Sequence, residues 1–184
     1  MIDRQRIITL LKRLPMPAES SLAPGASNEA IELFSRRTGI VLPEDVREWL
    51  RLTNAPLVGY CALLGIGVED GIEEILDRYP EWKQRYWLPI ATDGCGNYYV
   101  VPTKRDFGEG FPVLFIDTMA DRNSPAYIVA SDIGRFLLFF FEDQLKDHSL
   151  TFNTESWPFN KEQVTKEDPA IVKFKNVRLP WECD

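Results

Sequence analysis

Histidine is almost absent from this chain of 184 residues, which contains only His148. A lone histidine leaves little material for an imidazole metal site or for a base beside a nucleophile. His148 also ends the polar segment 142–148, which is typical of a solvated helix end. Cysteine is scarce too, and Cys61, Cys95 and Cys183 are an odd number without C-x-x-C spacing. We therefore expect no metal, no cofactor and no disulfide framework.

The sequence also lacks a long apolar segment and an excess of basic residues. Its longest unbroken apolar run, 136–141, is far shorter than the roughly 20 residues of a membrane span. Residues 1–6 alternate charges where a signal peptide would be apolar. With 21 Lys and Arg against 28 Asp and Glu, the net charge is −7, which disfavours nucleic acid and anionic membranes as partners. We expect an acidic, cytoplasmic protein.

The overall composition of the chain is that of an ordinary globular protein. Apolar residues make up 45% of the chain and charged residues 27%. A chain of this length buries enough surface to fold as one domain without a metal or a disulfide. We therefore predict a single domain, 1–184.

Apolar spacing in the first part of the chain predicts three helices. Residues 3–14 carry an apolar face at i, i+3, i+4 and i+7, with their first residue, an aspartate, as N-cap. After a proline-rich connection, 15–26, a second helix begins with Asn28 as cap and ends at Gly39. The third helix places Pro43 at its first helical position.

The middle of the chain is rich in β-type segments separated by short polar turns. Residues 63–66 predict a short strand, and 70–79 predict a fourth helix. Consecutive hairpin-like strands then favour an antiparallel sheet over parallel crossovers. These strands are 87–91, 98–101, 112–117 and 126–130. An apolar helix capped by Ser131 and Asp132, and reaching about Lys146, should pack deeply on this sheet.

The tail contains one further helix signal. Asp168 and Pro169 indicate a cap followed by proline at the first helical position, which predicts a short docking helix. Residues 179–181 should pack back on the core as an extended segment.

An acidic cluster lies on the side of the predicted fourth helix opposite its apolar residues. Its only local counter-charge is Arg78. Two interpretations stay open: a solvated helix face, or a docking surface for a basic protein, where charge raises association rate and selectivity more than affinity. The acidic cluster consists of Glu69, Asp70, Glu73, Glu74, Asp77 and Glu81.

Two further patterns bear on catalysis. The glycines of 65–71 lack both the G-x-G-x-x-G spacing and a Lys-Ser/Thr pair that would hold phosphates, so a strand-to-helix turn explains them better. Cys95, between two glycines, is either a nucleophile or a small residue in a tight turn. Asp93 and Asp117 are a possible carboxylate pair. We expect no catalytic residue and no enzymatic activity.

Ordered motifs across residues 28–145 resemble the SUKH superfamily, which comprises yeast cell-wall-assembly regulators and bacterial toxin-immunity proteins. The first motif is I-E-L-F at 31–34, followed by T-G-I-V-L-P-E-D-V-R-E-W-L at 38–50. The second is W-L-P-I-A-T-D-G-C-G-N-Y-Y at 87–99. The signature residues are Pro43, Trp49, Trp87, Asp93, Gly94, Gly96 and Asn97.

The resemblance implies an α+β fold with helices packed around a curved, mainly antiparallel sheet. It brings no catalytic residue set, and it implies that the chain binds a protein. Helix 3–14 and the tail 150–184 are additions that the family pattern does not explain.

From the residues and the resemblance together we expect a toxin-immunity protein of a polymorphic toxin or contact-dependent inhibition system. It would bind and neutralise a cognate toxin domain. A basic nuclease is the candidate class, because a nuclease must attract phosphate and would complement the acidic cluster. The alternative is a non-enzymatic scaffold or regulatory adaptor that binds several cellular proteins. We expect a monomer or a weak dimer.

Overall fold

The computed structural model describes residues 3–14, 24–55, 57–58, 61–146 and 157–183, and these residues form the predicted α+β fold. The helices are α1 (Arg4–Leu11), α2 (Asn28–Thr38), α3 (Glu44–Leu52), α4 (Ile72–Arg78), α5 (Pro80–Arg85), α6 (Thr118–Asp121), α7 (Ile133–Gln144) and α8 (Lys161–Glu167). The strands are β1 (Leu57–Val58), β2 (Cys61–Ala62), β3 (Trp87–Thr92), β4 (Tyr98–Pro102), β5 (Val113–Ile116) and β6 (Tyr127–Ala130). Short 3₁₀ turns lie at Trp157–Phe159, Ile171–Lys173 and Pro180–Glu182.

Two features of the sequence analysis lie outside the described residues: His148, and the proline-rich connection up to residue 23. Among the helices that are described, none has the length and apolarity needed to cross a bilayer.

β3 to β6 form one open antiparallel sheet in chain order, as the hairpin pattern predicts. Leu88 of β3 pairs with Val101 of β4, and Val100 pairs with Leu114 of β5. All four of these side chains are buried. Strands that are apolar on both faces require cover on both faces, and the helices supply it.

The prediction of a strand at 63–66 is wrong for most of the segment. β2 ends before this segment, and only Leu63 forms an isolated bridge, with Ala91. The N–H of Leu64 still donates to the carbonyl of Ile90 at 2.8 Å, and the side chain of Asn54 satisfies the backbone groups of Ile66. It donates to the carbonyl of Ile66 and accepts the N–H of Ile66, both at 2.9 Å. An amide side chain thus replaces the partner strand that these groups would need.

α7 lies between the sheet and α3, and its predicted position is confirmed. The carboxylate of its N-cap, Asp132, accepts the N–H three residues later at 2.8 Å. The ring centroid of Phe136 lies 4.9 Å from that of Tyr99 on β4. The centroid of Phe141 lies 6.1 Å from that of Trp49 on α3. The aromatic residues of α7 are therefore core residues in contact with both neighbouring layers.

The starts of α2 and α3 differ by one residue from the prediction. Ser27, not Asn28, is the N-cap of α2, because its hydroxyl oxygen accepts the N–H of Ala30 at 3.2 Å. Pro43 is the N-cap of α3 rather than its first residue, since its backbone is extended at ψ 149°. Gly39 ends α2 with a left-handed φ of 74°, as predicted.

α1 is shorter than the predicted helix 3–14, although Leu14 remains buried. Asp3 is its N-cap, as predicted, and accepts the N–H of Arg6 at 3.1 Å. The guanidinium of Arg6 also forms an ion pair with Glu142 of α7. This contact and the buried face of α1 hold the N-terminal helix against α7.

The tail contains α8, which the sequence analysis missed, and this helix changes the role of Asp168. The prediction that Asp168 caps the start of a helix is wrong, because it is the C-cap of α8. Its carboxylate is buried and accepts the N–H of Ser131 at 2.7 Å. The predicted docking helix after Pro169 is a single 3₁₀ turn.

The tail also lies along the outer edge of β6. The N–H of Ile128 donates to the carbonyl of Arg178 at 3.0 Å. Trp157 stacks on Phe139 of α7 with ring centroids 5.3 Å apart. The segment expected to be extended at 179–181 is largely a 3₁₀ turn.

Candidate partner-binding surface

α4 and α5 place the acidic cluster on the surface beside β3. α4 buries Ile72, Ile75 and Leu76, and α5 buries Trp82. Both helices pack on β3. The carboxylates of α4 occupy the remaining positions of the helix, away from this apolar stripe.

The fourth helix predicted at 70–79 corresponds to α4, and α5, which follows it directly, was not predicted. Tyr79 breaks the helical backbone at φ −123° and ψ 72°. Pro80, which has no N–H to donate, then begins α5. α5 has six residues, too few to show an apolar period in the sequence. Pro80 is the signal that could have revealed it.

Two carboxylates of the acidic cluster hold the loop before α4. Both oxygens of Glu73 accept the N–H of Gly67, at 3.0 and 3.1 Å. Glu74 accepts the N–H of Asp70 at 3.1 Å. Gly67 and Asp70 have φ values of 63° and 52°, so these bonds close a turn of left-handed residues. Glu73 and Glu74 therefore serve the structure of the loop.

Glu81 is also engaged within the chain. Its carboxylate lies 3.1 Å from the guanidinium of Arg122, which follows α6. The indole N–H of the adjacent Trp82 donates to the Arg122 carbonyl at 2.7 Å. The two contacts tie α5 to the connection between β5 and β6.

The other three carboxylates, Glu69, Asp70 and Asp77, are exposed, and within the described part of the chain no ion pair includes their side chains. Arg78, the counter-charge expected from the sequence, instead donates to the hydroxyl of Tyr98 at 3.3 Å. Burial raises the pKa of Tyr98, so the hydroxyl stays protonated at neutral pH. We call Glu69, Asp70 and Asp77 the open carboxylates.

The turn between β3 and β4 is held by side chains. Asp93 Oδ1 accepts the N–H groups of Cys95 and Asn97, at 2.8 and 3.0 Å, and Oδ2 accepts the amide of Asn97 at 2.8 Å. Asn97 Oδ1 accepts the N–H of Thr118 at 3.1 Å, which links the turn to α6. The two glycines of the turn have φ values of 77° and 96°, which other residues rarely adopt.

The catalytic candidates of the sequence analysis occupy turn positions. Asp117 Oδ1 accepts the N–H groups of Met119 and Ala120, each at 3.0 Å, as the N-cap of α6. Cys95 is exposed in the turn that Asp93 holds. The carboxylates of Asp93 and Asp117 both accept backbone N–H groups, an arrangement that stabilises turns. Among the described residues, no group of three or more His, Cys, Asp or Glu side chains could hold a metal ion.

A groove of about 300 Å³ separates α3 and the start of α7 from the tail. Its lining residues could not be identified from the sequence, because its walls are far apart along the chain. We call it the tail groove. Its apolar lining includes Pro43, Val46, Val101, Phe111, Ile133 and Phe174. Its charged lining residues are Asp45, Glu109, Asp132 and Lys173.

A comparison with protein families matches residues 25–138, more than half of the chain, to the SMI1 / KNR4 family (SUKH-1). The chain belongs to this SUKH-1 family. The match begins just before α2 and ends within α7, so it includes the whole sheet. A search of curated proteins found no match to the chain.

SUKH-1 membership confirms the resemblance drawn from the two motifs, and the structure explains the signature residues. Trp49 and Trp87 are buried, and Pro43 caps α3. Asp93, Gly94, Gly96 and Asn97 build the turn described above. SUKH proteins include toxin-immunity proteins, and the family is generally one of non-enzymatic immunity or regulatory proteins with protein partners.

Asp168 provides a pH-dependent test of how the tail docks on the SUKH-1 core. Burial raises the pKa of Asp168 above its usual value of 3.8, although the contacts with Ser131 oppose the shift. A raised folded-state pKa means that the folded protein binds the proton more tightly than the unfolded protein does. Wild type should therefore lose stability relative to Asp168→Asn as the pH rises through the interval between 3.8 and the raised value.

Urea unfolding of both proteins from about pH 3 to about pH 7 checks this expectation, since the shared titrations cancel in the difference. The side-chain amide introduced by Asp168→Asn keeps an oxygen that can accept the Ser131 N–H. Asp168→Ala removes that acceptor and should cost about 1–3 kcal/mol at each pH. If wild type instead gains stability relative to Asp168→Asn as the pH rises, the hydrogen bonds from Ser131 lower the pKa of Asp168 by more than burial raises it.

Proposed function

We propose that this chain is an immunity protein that binds and neutralises a cognate bacterial toxin domain by surface complementarity. The observation that carries the proposal is the SUKH-1 match over residues 25–138, in a family that includes toxin-immunity proteins. The structural roles of the signature residues support the proposal. These residues build the core and the turns, so other, exposed residues are the ones available to bind a partner.

The open carboxylates form part of the proposed toxin-binding surface. They are exposed side chains of one sign on a protein of net charge −7. A toxin domain that acts on nucleic acid needs a basic surface to attract phosphate, and a negative patch steers such a partner into contact. Glu73, Glu74 and Glu81 are less suitable, because each is already engaged within the chain.

Charge reversal at the open carboxylates tests the steering mechanism. We expect the variant Glu69→Lys/Asp77→Lys to slow association with the cognate toxin domain by about tenfold or more at low salt. The dissociation rate should change little. Surface plasmon resonance at several salt concentrations measures both rates.

A matched control reverses exposed carboxylates elsewhere. Glu48 of α3 and Glu162 of α8 are exposed and form no ion pair within the described residues. Glu48→Lys/Glu162→Lys should therefore bind at nearly the wild-type rate. Equal association rates for both variants, together with salt-insensitive binding, would exclude the open carboxylates from the interface. Failure of the wild type to bind or protect against the toxin would favour the adaptor alternative.

A further inference from the structure

The tail groove is formed by two parts of the chain, one inside the SUKH-1 match and one outside it. Its α3, β4 and α7 walls lie inside the SUKH-1 match, whereas Ala170, Lys173 and Phe174 belong to the tail outside it. Gly110, with a φ of 114°, lies beside Phe174, and a Cβ there would be in van der Waals contact with the ring at 3.4 Å. The N–H of Lys175 donates to the carbonyl of Phe107 at 2.9 Å. These contacts fix the tail wall of the groove.

The charged groups that line the groove leave it negative. Three carboxylates, on Asp45, Glu109 and Asp132, face one ammonium, on Lys173, which gives a net charge of −2. The N-termini of α3 and α7 each add about half a positive charge, so about one negative charge remains. Within the described residues, no ion pair engages any of these four side chains. Asp132 already accepts a backbone N–H as the N-cap of α7, so Asp45 and Glu109 are the lining carboxylates left for a cation.

The shape and the apolar lining restrict the kind of cation. A volume of about 300 Å³ is at the small end of ligand pockets, which suits one long side chain. The walls offer Pro43 and Phe174 to methylene groups or to the face of a planar group, while the guanidinium of Arg105 already lies 6.0 Å from the Phe111 ring centroid. A guanidinium combines a flat apolar face with donors that match carboxylates, whereas an ammonium is a strongly hydrated point charge.

We propose that the tail groove binds an arginine side chain of a protein partner, with its stem against the apolar walls and its guanidinium at Asp45 and Glu109. The identity of that partner as a toxin domain rests on the function proposed above. Because one wall comes from outside the SUKH-1 match, the tail helps to define which partner residue fits. Lys173, the one cation among the described residues that line the groove, opposes the arginine.

Binding of a small probe tests the groove without any toxin. N-acetylarginine amide is titrated into the full chain, and NMR follows the backbone amide signals of Gly110, Phe111 and Lys173. We expect these signals to shift with a dissociation constant of about 1–10 mM. The citrulline analogue has the same shape without the charge and should bind at least about tenfold more weakly. Equal shifts from both probes would overturn the proposal.

Four single substitutions separate charge recognition from structural damage. Asp45→Asn and Glu109→Gln should each weaken arginine amide binding about three- to tenfold, and Lys173→Gln should strengthen it about twofold. Glu48→Gln, on the same helix as Asp45 but outside the groove, is the matched control and should have no effect. Thermal melting confirms that each variant is folded. An unchanged affinity in Asp45→Asn and Glu109→Gln contradicts the proposal.

The toxin domain separates the two proposals from each other. Asp45→Asn/Glu109→Gln should weaken its binding at least about tenfold, mainly through faster dissociation. Unchanged toxin affinity would overturn the groove as the recognition site while leaving the immunity function intact. Binding of arginine amide in the groove, without any binding of the toxin, would instead contradict the proposed function and leave the groove standing.

Discussion

Replacement of Trp82 by alanine is expected to lower the free energy of unfolding by about 3–5 kcal/mol, the range of large-to-small core substitutions. Trp82 has 0% of its surface exposed. Its ring stacks on Tyr79 with centroids 4.4 Å apart and meets the edge of Tyr98 at 5.4 Å. Alanine would leave a cavity under α5 and would also remove the hydrogen bond to the Arg122 carbonyl. Urea unfolding measures the loss.

Trp82→Phe separates the hydrogen bond from the packing. Phenylalanine keeps much of the ring contact but has no N–H, so the Arg122 carbonyl loses its donor and the expected cost is about 1–3 kcal/mol. Met119 is 90% exposed, and Met119→Ala should change stability by less than about 0.5 kcal/mol. A loss in Trp82→Ala no larger than that of this control would mean that α5 is not part of the cooperative core.

The second large effect concerns the tail. We expect Trp157→Ala to cost about 3 kcal/mol or more, because its ring is 5% exposed and packs on Phe139 and Phe136 of α7. The loss should fall mainly on docking of residues 157–183. Amide hydrogen exchange gives a local readout, since the Ile128 N–H donates to the tail carbonyl of Arg178.

In Trp157→Ala the Ile128 amide should exchange faster than in wild type. Amides of β4, which do not contact the tail carbonyl, should lose less protection than the Ile128 amide does. Arginine amide binding should weaken as well, because the tail forms one wall of the groove. Val172 is 53% exposed on the tail, and Val172→Ala is the matched control. An unchanged Ile128 exchange rate in Trp157→Ala would show that Trp157 does not hold the tail in place.

The sheet and the main helices could be predicted because their signals are local. The hairpin on either side of the Asp93 turn depends on turn residues a few positions apart, and the cap of α7 depends on Asp132 alone. Apolar alternation and helix caps act over a few residues, so the sequence displays them directly. The α+β class was predictable for the same reason.

The roles of polar residues were less predictable, because they depend on distant partners. Asp168 has the sequence pattern of a helix cap, but its acceptor role is set by Ser131, 37 positions away. The six acidic residues look alike in the sequence. Only the folded loop shows that Glu73 and Glu74 face backbone donors while Asp77 is left open. The tail groove had no sequence signal, since Asp45 and Lys173 meet only after folding.

The pairing of Arg178 with the edge of β6 has a consequence for protein synthesis. Ile128 leaves the ribosome 50 residues before its partner (178 − 128), which at about 5–20 residues per second is a delay of about 3–10 s. During this interval β6 is paired with β5 on one side, but its outer edge lacks the tail, and an open strand edge pairs readily with other chains. Slow translation after β6 should therefore lower the yield of native protein, and a chaperone that covers extended segments should restore it.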